Sequence, residues 1–309
     1  ALCGQPDDPT VLHNYGAALY AARRLDEAQQ IFLRAIGLDP RFTKGYTGLA
    51  KIYEHQELFD KAAATLRQAR ALDPSSHDII FRLSYSYLVV GAFKNGWRDY
   101  EHRFLCSGKE QTRRASPPAY WAGEDLTGKT ILIWTEQGLG DQILYSTMIP
   151  DVIDLAGRCV VECAPRLAPV FTRSFPRATV TSYVSQVEPA TPAAGIDFQL
   201  PVASLGQFLR PDFESFPRRQ GHLKPDPART AALRARYQSI APGNLVVGLS
   251  WRSKNENIGV IKSTDLSVWA DVLTVPGVTF VNLQYGACAD ELAAVKKTLG
   301  VEVFHDSEI

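Results

Sequence analysis

Apolar positions recur along the first hundred residues at helical spacing, and that pattern itself repeats. Leu12, Tyr15, Leu19 and Phe32 in one stretch are answered by Tyr46, Leu49, Tyr53 and Leu66 in the next. The small residues Gly16, Ala28 and Ala35 are answered by Ala50, Ala62 and Ala69, and Pro6, Pro40 and Pro74 fall 34 residues apart. Small side chains let paired helices touch while large ones fill the seam. The pattern predicts two full helix pairs and a third that begins near His77 with Ile80, Leu83, Tyr87 and Tyr100. This third unit departs from the pattern after Gly91, and its second helix, over 91–104, is expected to cap the array. Further on the period changes. Residues 130–135 form a short, apolar, β-rich run, two glycines break it, and from Asp141 the residues Ile143, Leu144, Met148, Val152 and Ile153 recur at helical spacing. Strand, glycine turn and helix open a doubly wound α/β domain, whose ligands gather at the carboxyl ends of the strands.

A period of 34 residues is the signature of tetratricopeptide repeats, paired helices that stack into a solenoid. The fold class expected is therefore α + α/β, with a repeat solenoid over 1–105. Residues 106–128 read as a linker, because paired prolines at Pro117 and Pro118 disfavour helix. Its Lys109, Arg113 and Arg114 read as a solvated basic run. Alternating strands and helices give a Rossmann-like domain over 129–226, with strands at 158–163, 178–183 and 198–200. A proline-rich crossover at 211–227 leads to a helix over 227–240 and the first part of a second Rossmann-like domain over 227–309. Strands are expected there at 245–250, 278–283 and 301–304, with helices at 264–273 and 289–299. The chain begins without methionine and stops in mid-pattern, which reads as a fragment of a longer protein.

Composition narrows the class. The 33 basic and 33 acidic residues cancel, so nothing electrostatic argues for nucleic acid or a membrane surface. No apolar run approaches the roughly 18 residues of a membrane span. The five cysteines form no CxxC pair and are odd in number, which favours reduced thiols and a cytoplasmic location. Cys159 and Cys163 share one face of a predicted strand and read as core.

The sequence EQGLGD at 136–141, with Pro150 nine residues after Asp141, resembles bacterial proteins that join tetratricopeptide repeats to a heptosyltransferase-like glycosyltransferase of GT-B type. GWRDYEHRF at 96–104, WAGEDLTGK at 121–129 and VGLSWRS with PGVTFVNLQYG at 247–253 and 276–286 are similar to the same group. Residues 262–273 also resemble the lysine-bearing segment of protein O-linked N-acetylglucosamine transferases. The resemblance implies two Rossmann-like domains facing across a cleft, the first holding the acceptor and the second, truncated here, the nucleotide sugar. It implies an inverting, metal-independent transfer with no cofactor beyond that sugar donor. A protein partner or acceptor would be recruited by the repeats, and the acceptor would be a protein or a surface glycan. The family often has arginine where this chain has Thr147.

Inverting transfer needs one carboxylate to take the acceptor proton and positive groups to stabilise the departing diphosphate. The resemblance places that base at Asp141, although an aspartate opening a helix is also a favoured N-cap worth about 1 kcal/mol. Glu136, Gln137, Gly138 and Gly140 would form the acceptor-side loop, the glycines supplying its turn. Lys262, Arg252 and Ser250 would meet the donor phosphates, with a solvated loop as the plainer alternative. Trp251 reads as core or cleft wall. No His, Cys and Asp spacing suggests a metal site. GLGDQI lacks the third glycine of a dinucleotide fingerprint, so a nicotinamide oxidoreductase is disfavoured. The rival from another class is a non-catalytic repeat scaffold with a degenerate transferase domain.

Overall fold

The first helix opens with an aspartate cap. Asp8 accepts from the backbone N–H groups of Thr10 and Val11 at 2.7 and 3.3 Å, and Pro9 takes the first turn, where no donor is needed. The computed structural model describes residues 7–106, 113–114, 118–183, 191–253, 259 and 262–305. These fall into two compact units, Ala1–Lys224 and Pro225–Ile309. In the first unit, α1 (Pro9–Ala21) packs on α2 (Leu25–Leu38), α3 (Thr43–His55) on α4 (Phe59–Leu72) and α5 (His77–Val89) on α6 (Phe93–Tyr100). The ring of Phe32 lies so close to Gly16 and Gly48 that an added Cβ would come within 2.8 and 2.4 Å of it. The turn inside each pair passes through a left-handed residue, Arg23, Glu57 and Gly91 in succession. At Gly91 the reason is also steric, since a Cβ would meet the Phe213 ring at 2.5 Å. The third pair departs from the repeat here because another part of the unit packs against it.

A short 3-10 turn, Glu101–Phe104, ends the helical array, so the expected helix over 91–104 is split. Next comes a parallel sheet of β1 (Ala119–Tyr120), β2 (Thr130–Trp134), β3 (Arg158–Cys163), β4 (Ala178–Ser182) and β5 (Phe198–Pro201), in the order β1-β5-β2-β3-β4. The segment read as a linker thus contributes an edge strand, and its Trp121 and Leu126 are buried in the core. Arg114 is not solvated as expected. It is buried, pairs with the equally buried Glu162 and lies over the Trp134 ring.

On one face of the sheet, Ile131, Ile133, Cys159 and Val161 pack against α8 (Ile149–Leu155) and α9 (Ala168–Ser174) through Ile149, Val152, Phe171 and Phe175. Cys159 and Cys163 lie in this core, and burial pushes both thiols up to about 12. On the other face, Leu132, Trp134 and Val160 meet Phe104 and Tyr120. The end of the repeat array therefore covers one side of the sheet. The anchor is Trp97, whose indole donates to the Arg210 carbonyl at 2.9 Å and comes so close to Gly206 that a Cβ there would meet the ring at 2.4 Å. Gly206 starts the short α10 (Gly206–Leu209).

The second unit is smaller. Asp226 caps α11 (Pro227–Ile240), and β6 (Leu245–Leu249), β7 (Val278–Asn282) and β8 (Val303–His305) form a parallel sheet in that order. The helix expected over 264–273 is a 3-10 turn, Leu266–Trp269, running into the single turn of α12 (Ala270–Leu273). With α13 (Ala289–Leu299) these elements cover a core of Leu249, Trp251, Leu266, Phe280, Val295 and Val303. Trp251 is thus core. Among the described residues, no helix is long and apolar enough to cross a membrane.

Candidate functional site at the end of the repeats

The carboxyl end of β2 runs straight into the loop that carries most of the expected site residues. The helix after it is broken. α7 (Leu139–Tyr145) gives way to a 3-10 turn, Ser146–Met148, before α8, because Pro150 in the first turn of α8 cannot donate backward and its ring excludes a continuous helix. Leu144 is left 60% exposed rather than packed in the core.

The loop does not use its glycines as expected. Gly138 has φ −77° and is the N-cap residue, and Gly140 lies inside α7. The left-handed residue is Gln137, with φ 64°. A non-glycine residue there is held by its surroundings. Its side chain donates to the Tyr100 hydroxyl at 2.9 Å, and its carbonyl accepts from Gln142 Nε2 at 3.3 Å. Asp141 is not the N-cap. It sits three residues in and accepts from the Gly138 N–H at 3.2 Å through one oxygen, half of a capping box. Its other carboxylate oxygen has no hydrogen-bond partner among the described residues.

Glu136 does not face a ligand either. It is buried and takes a two-pronged pair of hydrogen bonds from Arg103, Nε at 3.1 Å and Nη2 at 2.7 Å. Arg103, itself wholly buried, also donates to Glu101 at 2.6 Å and to Ser204 at 2.8 Å, with Tyr100 and Phe104 against its flat faces. Burial opposes the guanidinium charge, but the Glu136 and Glu101 carboxylates outweigh it and hold Arg103 above its ordinary range. The group therefore joins the end of the repeats rigidly to the loop.

Three tyrosines complete the cluster. Tyr85 of α5 meets Tyr100 edge-on with ring centres 5.9 Å apart, and the Tyr145 hydroxyl donates to that of Tyr100 at 3.0 Å. Burial raises all three phenols above their usual range, and the Asp141 charge adds to this at Tyr85 and Tyr145. These hydroxyls stay protonated at neutral pH, so they act as donors and not as bases. Glu136 and Glu101 are held by Arg103, whereas Asp141 has no ion-pair partner among the described residues.

The residues expected at the donor side lie in the second unit. The Ser250 hydroxyl donates to Gln284 Oε1 at 3.3 Å, and that oxygen also accepts the Arg252 backbone N–H at 2.8 Å. The Arg252 side chain is engaged, donating to the Ala287 carbonyl at 2.6 Å and pairing with Glu291 at 2.9 Å. Lys262 is exposed, and Lys254 lies outside the described residues. Among the described residues, no group of His, Cys, Asp and Glu is arranged to hold a metal ion.

The sequence reading did not single out Arg103, Tyr85, Tyr100, Tyr145 or Gln142 as contributors to the site. Tyr100 and Arg103 lie in the motif GWRDYEHRF, where aromatic and charged residues alternate too closely for a solvent-facing helix. Nothing in the sequence marks Gln142, which is buried and braces the loop from four sides.

Residues 19–83 match the tetratricopeptide repeat family. The chain is 34% identical over 318 residues to Protein FlbA of Caulobacter vibrioides, an alignment covering 97% of this chain and 52% of that protein. The chain thus spans about half the length of the relative it matches. Among solved structures, YrrB, a TPR protein, is 16% identical over 34% of this chain and 55% of its own, with a TM-score of 0.32. The Sgt2 TPR domain from Aspergillus fumigatus is 21% identical over 30% of this chain and 62% of its own, with a TM-score of 0.29. The N-terminal region of the chain is a set of tetratricopeptide repeats, followed by an α/β region with parallel sheets.

Proposed function

We propose that the chain is part of a sugar-transferring enzyme of GT-B type in which the repeats deliver the acceptor to Asp141. The observation that carries this reading is the shared cluster: Tyr85 and Tyr100 of the last repeat meet the loop bearing Gln137 and Asp141. A polypeptide or glycan lying against the exposed Tyr85 of the last repeat would arrive beside a half-buried carboxylate with one oxygen available. In the transfer, the acceptor hydroxyl oxygen forms a bond to the anomeric carbon, the bond to the nucleoside diphosphate breaks, and Asp141 takes the hydroxyl proton. The resemblance of EQGLGD and the three further motifs to heptosyltransferase-like proteins supports the same reading.

The test is Asp141→Asn in the full-length protein. Asparagine can still accept the Gly138 N–H, so the melting temperature is expected to change little. Sugar transfer is expected to slow at least about a hundredfold, the usual worth of a general base. Unchanged transfer would remove Asp141 from the chemistry.

A second reading, a non-catalytic interaction scaffold, is favoured by one observation. Arg252 is already occupied by Glu291 and the Ala287 carbonyl, leaving less positive charge for a diphosphate. If no nucleoside diphosphate raises the melting temperature of the full-length protein, this reading prevails.

A further inference from the structure

A cavity of about 270 Å³ opens beside the tyrosine cluster. Leu88, Phe93 and Trp97 of the last repeat form one wall, and Leu144, Tyr145 and Met148 form the other. Phe216, 41% exposed, stands at its rim and packs against Phe93 with ring centres 5.0 Å apart. Such an apolar hollow, with Leu144 exposed at its edge, is costly to leave in water without an occupant.

Its chemistry limits what can enter. The polar groups in its lining are already committed to other partners. Trp97 Nε1 donates to the Arg210 carbonyl, and the Arg210 guanidinium to Asp151 and the Leu209 carbonyl. The Tyr145 hydroxyl donates to Tyr100, and the Thr147 hydroxyl to the Leu144 carbonyl at 2.7 Å. A sugar or phosphate would find no partner there and would lose its hydration. Pockets that take whole small molecules run to roughly 300–1,000 Å³, so this one is sized for a single large group. Its position gives the context. Tyr145 lies one helical turn after Asp141 on the same face of α7, so the cavity adjoins the carboxylate proposed as the base.

We infer that this cavity anchors one large apolar side chain, aromatic or leucine-like, of the acceptor polypeptide. The anchor sets which hydroxyl residue reaches Asp141, and it rests on the reading above that a polypeptide is delivered to that carboxylate. Acceptors then carry a bulky apolar residue a short distance along the chain from the modified Ser or Thr.

Met148 is the single methionine of the 309 residues, so methyl-labelled methionine gives one resonance inside the cavity. Titrating this chain with N-acetylphenylalaninamide is expected to shift and saturate that resonance in the millimolar range, whereas N-acetylasparaginamide leaves it unmoved. Thr147→Phe, which fills the cavity, is expected to abolish the shift. Should that variant fail to fold, Phe216→Ala at the rim carries the test and is expected to weaken binding severalfold. An equal shift with the asparagine compound, saturation by octyl glucoside at lower concentration, or full titration of the filled variant would each overturn the side-chain assignment. The resonance reports occupancy without turnover, so the two readings fail separately. A titrating Met148 beside an Asp141→Asn enzyme of unchanged activity removes Asp141 from the chemistry and leaves the polypeptide anchor. A silent Met148 beside an Asp141-dependent enzyme overturns the anchor alone.

Discussion

Arg103 carries a full charge into the buried interior, and the surrounding groups account for how it can. Its hydrogen bonds go to Glu136, Glu101, Ser204 and a backbone carbonyl, and aromatic rings lie against its faces. Such a pair contributes little net stability over an apolar replacement, but removing one partner strands the other. Arg103→Met or Glu136→Leu alone is therefore expected to cost about 3–5 kcal/mol in urea unfolding. The double variant is expected to recover most of that loss, and simple additivity of the two losses would show that they are not coupled.

At the scale of the element, the informative segment is the loop between β2 and α7. Its left-handed Gln137 is kept in place by Gln142, which accepts from the Thr135 hydroxyl at 2.8 Å and the Ala164 N–H at 3.1 Å and donates to the Gln137 carbonyl and the Tyr183 hydroxyl. Leucine at 142 fills similar space and satisfies none of these groups. Gln142→Leu is expected to destabilise the first unit by about 1–3 kcal/mol, the cost of leaving a buried polar group unpaired. Hydrogen exchange should also quicken at Gly138 and Asp141 while remaining slow in β3. Unaltered exchange in the loop would mean that the strained turn is held by Tyr100 alone. The Pro150 break acts on the same element, ending α7 early and leaving Leu144 at the edge of the cavity.

For the whole molecule, the main consequence is that the repeats and the first parallel sheet share their burial. Phe104 at the end of the repeats covers a sheet face, Trp97 packs on Ala203 and Arg103 pairs with Glu136, so the expected division at 105 does not separate two compact bodies. Imidazoles at the edges of this unit give it a pH dependence. Burial, followed by the His77 charge, lowers the pKa of His102, and burial with Arg219 lowers that of His222. The fold favours their neutral forms, so their contribution to stability is present above the unfolded value of about 6.5 and is lost as pH falls below it. The melting temperature is expected to drop between about pH 7.5 and pH 5.5. Burial lowers the pKa of His13 in the same way, so His13→Gln, His102→Gln and His222→Gln together should flatten that slope, and an unchanged slope would assign it to other groups.

Sequence by itself determined the repeats and the strand–helix alternation, because both are local periodicities: Gly16, Ala28, Ala50 and Ala62 are small where helices touch, and Ile131 and Ile133 alternate with Leu132 and Trp134 across one strand. It also located the loop that carries Asp141. What only the tertiary structure decided were the partners from distant parts of the chain. Arg103 and Glu136 are 33 residues apart, Trp97 and Arg210 are 113 apart, and Arg114 and Glu162 are 48 apart. No period links such pairs, since a charged residue reads as solvated until a buried counter-charge is brought to it. The same holds for Gln137, whose left-handed backbone is chosen by Gln142 and Tyr100 rather than by its own propensity. The glycines beside it looked like the turn, but the surrounding contacts placed the turn at the glutamine.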